Sequence, residues 1–463
     1  MDVHCSQSGF DPELIRRYDG RGPRYTSYPT ALQFTPNIGP AEYAANARQS
    51  NSGGLPLSLY VHVPFCHQLC YYCGCNKIVT RNEARVARYL DALHKEIAMQ
   101  GELFDRSRMV EQLHFGGGTP TYLDAEQLDR LFAVLRRNFS FDESDERQYS
   151  IEVDPRTVDY ERLVELESLG FNRLSLGVQD FDAKVQEAVN RTQSLDSIVT
   201  LVDDARGLGF GSISFDLIYG LPHQSLERFD RTLTATLDIR PERLSVYNYA
   251  HLPARFKGQR MIREEDLPSA ETKLAILGRT VERLTDAGYV YIGMDHFALP
   301  EDELAVAQRE GGLQRNFQGY STHWHCDLVG LGVSSIGSIG NVYAQNTVST
   351  QDYEELIERG ELALAKGLRV DRDDRIRAAV IQSLMCYDRL SFAEFGDRFD
   401  IDFKDYFAGA LDTLKPMAAD ALLAICDDEI RILPKGRYVL RNIAMSFDRY
   451  LGSEPVERFS KAI

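Results

Sequence analysis

The chain has 463 residues, of which 43% are hydrophobic, and its formal charge is −17 at neutral pH. This length exceeds one ordinary core, so we expect a large domain with smaller attachments. The acidic excess argues against broad binding to nucleic acid or to an anionic membrane, and an acidic substrate would need a locally basic pocket. No apolar run reaches the length of a membrane span and no signal peptide is evident, which predicts a cytoplasmic protein.

From about residue 56, short β-rich segments alternate with helical stretches such as 83–100 and 124–138. This is the pattern of repeated βα units around a parallel sheet. Six strands are predicted, at 57–63, 112–115, 149–153, 173–178, 212–218 and 243–249. The predicted fold class is therefore α/β, an incomplete (β/α)6 barrel, with a doubly wound open sheet as the alternative.

Three regions are predicted along the chain. Residues 1–55 form an N-terminal extension on the substrate side, residues 56–345 form the partial barrel with its extension, and residues 346–463 form a small C-terminal domain. That last domain is predicted to be mainly helical and winged-helix-like, with a hairpin at 429–437. Its many acidic residues argue against DNA binding and favour a lid or packing role.

The predicted strands alternate apolar and polar residues, whereas buried parallel strands are usually apolar throughout. In the first strand, Leu59 and Val61 share one face, and Tyr60 and His62 share the other. A closed eight-stranded barrel fills its interior with apolar side chains. A polar inner face therefore predicts a wider, open lumen that holds polar ligands.

The loop after the first strand carries Cys66, Cys70 and Cys73 in the spacing C-x3-C-x2-C, followed by Cys75. Three thiolates on one short loop can hold three corners of a [4Fe–4S] cluster and leave the fourth iron open for a substrate or cofactor. Zinc is the alternative, but structural zinc usually needs two separated cysteine pairs, and Cys73 lies too close to Cys75 for both to reach one ion. The spacing therefore favours the cluster. The other cysteines are interpreted as ordinary thiols: Cys5, Cys326, Cys386 and Cys426.

Polar or glycine-rich residues stand at the end of every later strand. They comprise Gly116-Gly117-Gly118-Thr119, Glu152-Val153-Asp154, Gln179-Asp180, Asp216 and Tyr247-Asn248-Tyr249-Ala250. The carboxyl ends of parallel strands meet at one edge of a sheet, where chemistry collects in α/β folds. We therefore expect the active site at this edge, beside the cysteine loop.

A second metal site is one interpretation of the run His323-Trp324-His325-Cys326. The two histidines flank the only tryptophan of the chain in a predicted loop. No carboxylate pattern in the sequence completes a ligand set, so we favour a loop without a metal ion.

Several long motifs together resemble the radical S-adenosylmethionine (AdoMet) superfamily and, within it, the oxygen-independent coproporphyrinogen III oxidases, also called coproporphyrinogen dehydrogenases. The motifs lie at 22–30, 66–80, 116–118, 171–175, 249–253 and 293–298, so the resemblance extends over nearly the whole chain. It implies that Cys66, Cys70 and Cys73 bind the [4Fe–4S] cluster and that AdoMet chelates the fourth iron.

The resemblance also implies two bound AdoMet molecules. Tyr60, Gly117, Glu152 and Ile336 match positions for the cluster-chelated AdoMet. The positions for a second AdoMet are matched by Tyr72, Gly118, Thr119, Gln179, Arg191, Asp216 and Ala250. Tyr72 stands where the family often has phenylalanine, and either ring can stack on adenine.

The implied reaction is the oxidative decarboxylation of two propionate side chains of coproporphyrinogen III to vinyl groups, which gives protoporphyrinogen IX in haem biosynthesis. Four propionates call for cationic contacts, and Arg24 is our candidate. Cys75 is a further candidate, because the oxidases carry this fourth cysteine although it is not a cluster ligand; a structural thiol is the alternative.

A haem chaperone is the alternative function, because a paralogous branch of the superfamily keeps the cluster motif but handles haem. The segment from Arg24 to Thr30 and Cys75 both favour the enzyme. We expect a low-potential electron donor such as a flavodoxin, no nucleic-acid or membrane partner, and a monomer, since no heptad seam demands an oligomer.

Overall fold

The structure is a computed structural model and describes residues 9–451, so Cys5 lies outside the described residues. All six predicted strands are present as neighbouring parallel strands of one sheet. They are β1 Leu57–Val63, β2 Met109–Gly117, β3 Gln148–Val153, β4 Arg173–Gln179, β5 Ser212–Tyr219 and β6 Arg243–Asn248. Their spatial order follows the chain from β1 to β6, as expected for successive βα units.

The sheet continues past both ends of this parallel run. The additional strands of the barrel region are β7 Val290–Gly293, β8 His296–Ala298, β9 Gln314–Asn316, β10 Gly319–Ser321, β11 Asp327–Leu331, β12 Ile336–Ile339, β13 Val342–Asn346 and β14 Leu364–Arg369. Antiparallel β8 and β7 extend the sheet beyond β6. On the far side of β1 lies β11, which is parallel to β1, and then β12 to β14. The strand order does not return on itself, so the incomplete barrel is confirmed.

Helices connect the strands and cover the outer face of the sheet. The helices are α1 Pro12–Arg17, α2 Pro40–Ser50, α3 Glu83–Gly101, α4 Ala125–Asn138, α5 Tyr160–Ser168, α6 Ala183–Ala188, α7 Leu195–Gly207, α8 Leu226–Ile239, α9 Ala270–Asp286, α10 Glu303–Glu310, α11 Thr350–Glu358, α12 Arg372–Cys386, α13 Phe392–Phe399, α14 Phe403–Tyr406, α15 Ala408–Ala419 and α16 Leu440–Met445. Local sequence explains where α4 begins. The side chains of Asp124 and Gln127 each accept a hydrogen bond from the backbone N–H of the other, which is a capping box.

The alternation along the strands separates an apolar outer face of the sheet from a polar inner face. Leu59 and Val61 are fully buried in the main core between sheet and helices. On the inner face, Ser58 Oγ donates to Gln112 Oε1 at 2.9 Å, and Gln112 Nε2 donates to Ser321 Oγ at 3.1 Å. The predicted polar lumen is thus a network of hydrogen-bonded side chains.

The C-terminal region has a second core around α12 to α16 and a three-stranded antiparallel sheet. Its strands are β15 Arg389–Ser391, β16 Leu423–Ile425 and β17 Glu429–Ile432. The predicted hairpin at 429–437 is wrong, because β17 pairs with the preceding β16 and with β15, while Pro434–Val439 forms a 3-10 helix. Pro434 has no N–H to donate to a strand ladder, so the chain leaves the sheet there.

The N-terminal segment packs on this C-terminal core rather than standing alone. Tyr25 and Tyr28 are buried in the second core, and Tyr25 Oη donates to Asp448 at 2.9 Å. The predicted domain boundaries stay a prediction, although β14 carries the main sheet as far as Arg369. Between residues 9 and 451, no helix is both long enough and apolar enough to cross a membrane.

Candidate active site

The cysteine loop is fastened to the carboxyl edge of the sheet by its backbone. The N–H of Tyr71 donates to the carbonyl of Val189 at 3.0 Å, and Asn190 Nδ2 donates to the carbonyl of Leu69 at 2.8 Å. Val189 and Asn190 follow α6, so the loop after β1 is held against the connection that follows β4. The loop therefore has a defined position above the lumen.

Two of the loop sulfurs have hydrogen-bond donors or positive charge beside them. Thr119 Oγ1 lies 3.5 Å from the sulfur of Cys66. Arg191 Nη1 and Arg156 Nη2 lie 3.4 and 3.7 Å from the sulfur of Cys70. Such partners favour the thiolate, the form in which cysteine binds metal. The surroundings therefore fit cysteines that serve as cluster ligands.

Cys73 and Cys75 interact directly with each other. A hydrogen bond from the Cys75 thiol lowers the pKa of Cys73 to about 6, and the same interaction together with burial raises the pKa of Cys75. Cys75 is exposed to solvent, whereas Cys66 and Cys70 are buried. Burial raises the pKa of Cys66 to about 11. Cys66, Cys73 and Cys75 thus differ in their tendency to ionise, and Cys73 is the most acidic of the three.

The spacing of the sulfurs discriminates between a cluster and a single zinc ion. Within residues 9–451, Cys66, Cys70 and Cys73 do not form a group whose ligand atoms all lie within 4.8 Å of one another. Ligands of one tetrahedral zinc ion need that closeness, since each stands about 2.3 Å from the metal. The three sulfurs are therefore not arranged as the ligands of one zinc ion.

Three of the four residues predicted for the cluster-chelated AdoMet meet at the ends of β1, β2 and β3. A Cβ added at Gly116 would lie 3.1 Å from the ring of Tyr60 and 3.0 Å from the carboxylate of Glu152. The N–H of Gly117 donates to Glu152 Oε2 at 3.2 Å. These residues form one polar wall of the lumen beside the cysteine loop.

Glu152 is ionised in this wall although it is surrounded by protein. Burial opposes ionisation, but hydrogen bonds from His114 and from the N–H of Gly117 outweigh it, so the pKa of Glu152 lies below its usual range. His114 in turn bonds Ser150 through Nδ1 at 2.6 Å. A fixed carboxylate of this kind can accept hydrogen bonds from ribose hydroxyls or an ammonium group.

Ile336, the fourth residue of the predicted set, lies two strands away from β1. Its backbone contacts Gly330, where an added Cβ would be 2.8 Å from the Ile336 carbonyl carbon. Gly330 is the register partner of Tyr60. Ile336 is therefore next to Tyr60 across the sheet, separated from it by a residue without a side chain.

His62 is a site residue that the sequence interpretation did not single out. Its Nδ1 bonds Tyr60 Oη at 3.1 Å, and its Nε2 bonds the Asn76 carbonyl at 3.0 Å. Burial lowers the pKa of His62, so the ring is neutral and links Tyr60 to the loop that follows the cysteines. The polar face of β1 was the signal that could have identified it.

Glycine is required where β2 passes under the cysteine loop. Gly117 has a φ of +122°, which side-chain-bearing residues rarely adopt, and a Cβ there would lie 2.8 Å from the ring of His62. At Gly118, a Cβ would lie 2.7 Å from the carbonyl oxygen of Pro64. The glycine triplet therefore allows a backbone strip to lie directly against the loop.

The residues predicted for a second AdoMet are grouped around Gly177 on β4. A Cβ at Gly177 would lie 2.8 Å from Gln179 Nε2 and 2.9 Å from Arg191 Nη2, and Gly177 is the register partner of Asp216. Arg191 is also bonded to Asp154 at 3.3 Å. The guanidinium of Arg191 is thus already neutralised by a protein carboxylate, which the sequence did not indicate.

The remaining residues of this set are joined through the cysteine loop. Gln259 Nε2 donates to the carbonyls of Tyr72 and Ala250 at 2.9 and 3.2 Å. Gly118 and Thr119 contact the loop from β2, with their N–H groups donating to carbonyls at its start. The structure therefore brings the whole predicted set to one side of the lumen.

Asp216 titrates in the lumen at an unusually high pH. Burial and the nearby charge of Glu152 raise the pKa of Asp216 to about 7, against hydrogen bonds from Ser245 and Ser175 that lower it. Its neighbour Tyr247 also lines the lumen. The two carboxylates of the lumen thus differ in protonation, one ionised and one easily protonated near neutral pH.

Arg24 lies at the mouth of the lumen. Its Nη2 is 3.2 Å from Asp295, and its guanidinium stands over the ring of Tyr247 at 5.9 Å. The side chain is 38% exposed, so it can still reach a ligand. Arg24 therefore lies beside a residue of the lumen with an accessible side chain, and its role at a substrate stays a prediction.

Two more arginines, which the sequence interpretation missed, converge on Arg24. Arg315 Nε donates to the Arg24 carbonyl at 3.3 Å, and Arg441 Nε donates to the Pro23 carbonyl at 3.1 Å. Burial and the charges of Arg24 and Arg315, partly offset by Asp295, lower the pKa of Arg441 to about 10. Their separation along the chain leaves no pattern that could have revealed this cluster.

The chain is similar to known proteins over its full length. Residues 60–235 match the family model described as the radical SAM superfamily, and residues 370–439 match the HemN C-terminal domain. The oxygen-independent coproporphyrinogen III oxidase of Pseudomonas aeruginosa is 52% identical over 98% of this chain and 99% of that protein. The protein of the same name from Escherichia coli is 50% identical over 100% of both chains.

A solved structure supports the same relationship. Coproporphyrinogen III oxidase (HemN) from Escherichia coli, described as a radical SAM enzyme, superposes with a TM-score of 0.90 at 49% identity. The match covers 96% of this chain and 99% of that one. The partial barrel, the extension and the C-terminal domain are therefore shared in one arrangement.

Proposed function

Since this chain belongs to the family of oxygen-independent coproporphyrinogen III oxidases, which are radical SAM enzymes of haem biosynthesis, we propose that it converts coproporphyrinogen III to protoporphyrinogen IX. The reaction oxidatively removes CO2 from two propionates and leaves two vinyl groups. The observation that carries this substrate is the arginine cluster of Arg24, Arg315 and Arg441 at the mouth of a lumen beside the cysteine loop.

The cofactors are a [4Fe–4S] cluster and AdoMet. When bound, they supply the electron transfer and the 5′-deoxyadenosyl radical that takes a hydrogen atom from the β-carbon of a propionate. We assign the cluster to Cys66, Cys70 and Cys73. The cluster-chelated AdoMet is assigned to Tyr60, Gly117, Glu152 and Ile336. A second AdoMet is assigned to Tyr72, Gly118, Thr119, Gln179, Arg191, Asp216 and Ala250.

Each part of the protein has a task that follows from its chemistry. The glycine strip lets the backbone approach a ligand, and the ionised Glu152 accepts hydrogen bonds from it. The neutral His62 accepts a hydrogen bond from Tyr60 at Nδ1 and donates one from Nε2 to the Asn76 carbonyl. One ring thus links the wall of the lumen to the loop that follows the cysteines. These fixed contacts position the reacting carbon and exclude water from it.

The arginine cluster orients the substrate through its carboxylates. Arg315 Nη1 is buried and has no hydrogen-bond partner in the described part of the chain. A buried guanidinium donor of this kind gains a charge-assisted bond when a carboxylate arrives. A propionate held at the mouth would direct the other side chains of the macrocycle toward the lumen.

We assign Cys75 to the substrate side as well. It is exposed to solvent, in contrast to the buried Cys66 and Cys70. Each decarboxylation releases one further electron, which must leave for an external acceptor, and the cluster needs a low-potential donor such as a flavodoxin. We further propose that the protein works as a cytoplasmic monomer without a nucleic-acid or membrane partner.

An anaerobic assay tests the proposal. The reconstituted protein is mixed with AdoMet, dithionite and coproporphyrinogen III, and the porphyrins and 5′-deoxyadenosine are separated by chromatography. We expect divinyl product and AdoMet cleavage, both lost in Cys70→Ser and both retained in Cys426→Ser, whose cysteine is exposed outside the site. Cleavage of AdoMet without vinyl product would overturn the substrate. Tight haem binding without either product would favour a chaperone.

A further inference from the structure

The end of the barrel opposite the cysteine loop carries a second group of metal-ligating side chains. Glu111, on β2, and His325 with Cys326, directly before β11, place one ligand atom each within 4.8 Å of the others. Glu111 Oε2 and His325 Nε2 are 2.8 Å apart. The carboxylate that was missing from the sequence pattern of His323 to Cys326 is therefore supplied by a strand more than 200 residues earlier.

The backbone is shaped to present Glu111. In the register of β1 with β2, Leu57 pairs with Val110 and Ser58 pairs with Gln112, so Glu111 is the extra residue of a β-bulge. Bulges turn a side chain away from the regular alternation and are common beside functional sites. In a strand without the bulge, the side chain of Glu111 would lie on the face that the regular alternation assigns to it.

The other two ligands are held at the same level of the sheet. Cys326 precedes Asp327, which pairs with Leu57 from the opposite side of β1. Asp327 is fixed by Arg108 Nη2 at 2.6 Å and by the N–H of Gly340 at 2.8 Å. Glu111 and Cys326 are thus anchored on the two strands that flank the start of β1.

The surrounding cleft would concentrate cations. It has a volume of about 780 Å³ and, among the residues the structure describes, its lining includes no lysine or arginine. Glu303 of the lining is paired with Arg173 and Arg243. The other acidic lining residues are Glu111, Asp142, Glu146, Glu301 and Glu310. A cleft lined by one sign of charge raises the local concentration of the opposite ion.

We propose that Glu111, His325 and Cys326 bind one zinc-class divalent transition-metal ion. Carboxylate oxygen, imidazole nitrogen and thiolate sulfur are the donors that such ions prefer, at about 2.0 to 2.3 Å. His323 is not part of this group of ligand atoms, so a water molecule would complete the tetrahedron. Binding releases the thiol proton of Cys326 to solvent.

This ion would join β2 to β11 across β1, on the closed side of the barrel. The seven residues of β1 separate it from the cysteine loop by about 20 Å at the usual rise per residue. The site is therefore independent of the radical chemistry, and its role is to brace the sheet where the extension begins. Its presence can be tested whether or not the proposed reaction is correct.

Zinc-edge X-ray absorption of the holoenzyme tests the proposal, because it detects zinc separately from the iron of the cluster. The reconstituted cluster occupies Cys66, Cys70 and Cys73, so these cysteines cannot compete. After addition of one equivalent of zinc and desalting, we expect about one zinc per chain with one sulfur neighbour near 2.3 Å and nitrogen or oxygen neighbours near 2.0 Å.

The variants identify the ligands. Cys326→Ser should remove the sulfur neighbour, and Glu111→Gln or His325→Gln should weaken zinc binding at least tenfold in competition with a chelator. Two matched controls should leave both readouts unchanged: Glu310→Gln in the same cleft and Cys426→Ser elsewhere. Iron content and circular dichroism check that each variant is folded. Zinc that is lost on desalting, or a sulfur neighbour that persists in Cys326→Ser, would refute the site.

Discussion

The two ends of the barrel lumen use charged side chains in opposite ways. At the closed end, Arg243 is paired with Asp302 at 2.7 Å and with Glu303 at 3.4 Å, and Glu303 also pairs with Arg173. Each guanidinium there faces a carboxylate. The N-cap Asp302 and the first residue of α10, Glu303, supply the two acids, so the start of this helix is fastened to the strands by ion pairs.

At the open end, three guanidinium groups lie close to one another. Arg24, Arg315 and Arg441 converge near Asp295, and the pKa of Arg441 is lowered to about 10 by burial and by its cationic neighbours. Like charges that lie this close repel one another, and an anionic ligand would relieve the repulsion. The closed end thus holds its arginines in ion pairs with carboxylates, whereas the open end holds the arginine cluster that we propose to contact the substrate.

The largest expected effect that sharpens this comparison is the loss of a cluster ligand at the open end. Cys66→Ser should lower the iron content and reduce turnover on the order of 1000-fold or more. The thermal midpoint of the cluster-free protein should stay close to that of the unaltered chain, because the closed end is intact. Iron analysis, the anaerobic assay and calorimetry measure the three quantities; a large drop in the midpoint would contradict the separation of roles.

The fold and the cluster ligands could be predicted because their signals are local. The alternation along β1 predicts both the strand and its polar face, and the spacing from Cys66 to Cys73 lies within one loop. A period of two residues or a short motif needs no knowledge of the rest of the chain.

The rest of the site depends on which distant segments the topology brings together. Glu111 and His325 are 214 residues apart, and the bulge that presents Glu111 appears only when β1 pairs with β2. Arg24, Arg315 and Arg441 meet because the N-terminal segment packs on the C-terminal core. No periodic pattern in a single sequence indicates which of its distant segments will be in contact.

The second prediction tests the closed end. Arg108 is 2% exposed and donates to Asp327 at 2.6 Å, so Asp327→Asn leaves a buried guanidinium without its counterion. We expect the free energy of unfolding to fall by about 3–5 kcal/mol. The protein that remains folded should keep its kcat and KM for the porphyrinogen.

Asp420 offers a matched control for this variant. It pairs with Arg17 at 2.7 Å, but Arg17 is 62% exposed, so Asp420→Asn should lower the free energy of unfolding far less than Asp327→Asn does. Denaturant titrations of both variants measure the difference. If both variants lost the same amount of stability, burial would not explain the contribution of the Arg108–Asp327 pair to the free energy of unfolding.

The third prediction concerns the arginine cluster of the open end. Arg315→Gln removes a guanidinium that has a buried donor without a partner in the described chain, so a substrate carboxylate should lose a charge-assisted hydrogen bond. We expect KM for coproporphyrinogen III to rise about 10- to 100-fold. AdoMet cleavage in the absence of substrate should change less than about twofold.

A distant arginine provides the control for charge alone. Arg389 pairs with Glu429 in the C-terminal sheet and is 61% exposed. Arg389→Gln alters the net charge by the same amount, yet KM should be unaffected. If both variants raise KM equally, long-range attraction and not contact with a propionate would explain the effect.

The smallest expected effect comes from Asp216, whose pKa in the folded protein is about 7 while an unfolded chain has about 3.8. The folded form therefore holds this proton more tightly, so stability is greatest at low pH and falls as the pH rises from about 4 to about 7. Asp216→Asn lacks this loss, since it cannot ionise. Without ligands, the variant should be more stable than the unaltered chain at pH 8 by on the order of 1 kcal/mol, because the open lumen lets water reduce the penalty.

Calorimetry at pH 5.5 and pH 8 measures the difference, which should shrink at the lower pH. A difference that is the same at both values would mean that Asp216 is already ionised across this range, and that the open end tolerates two neighbouring negative charges without a ligand.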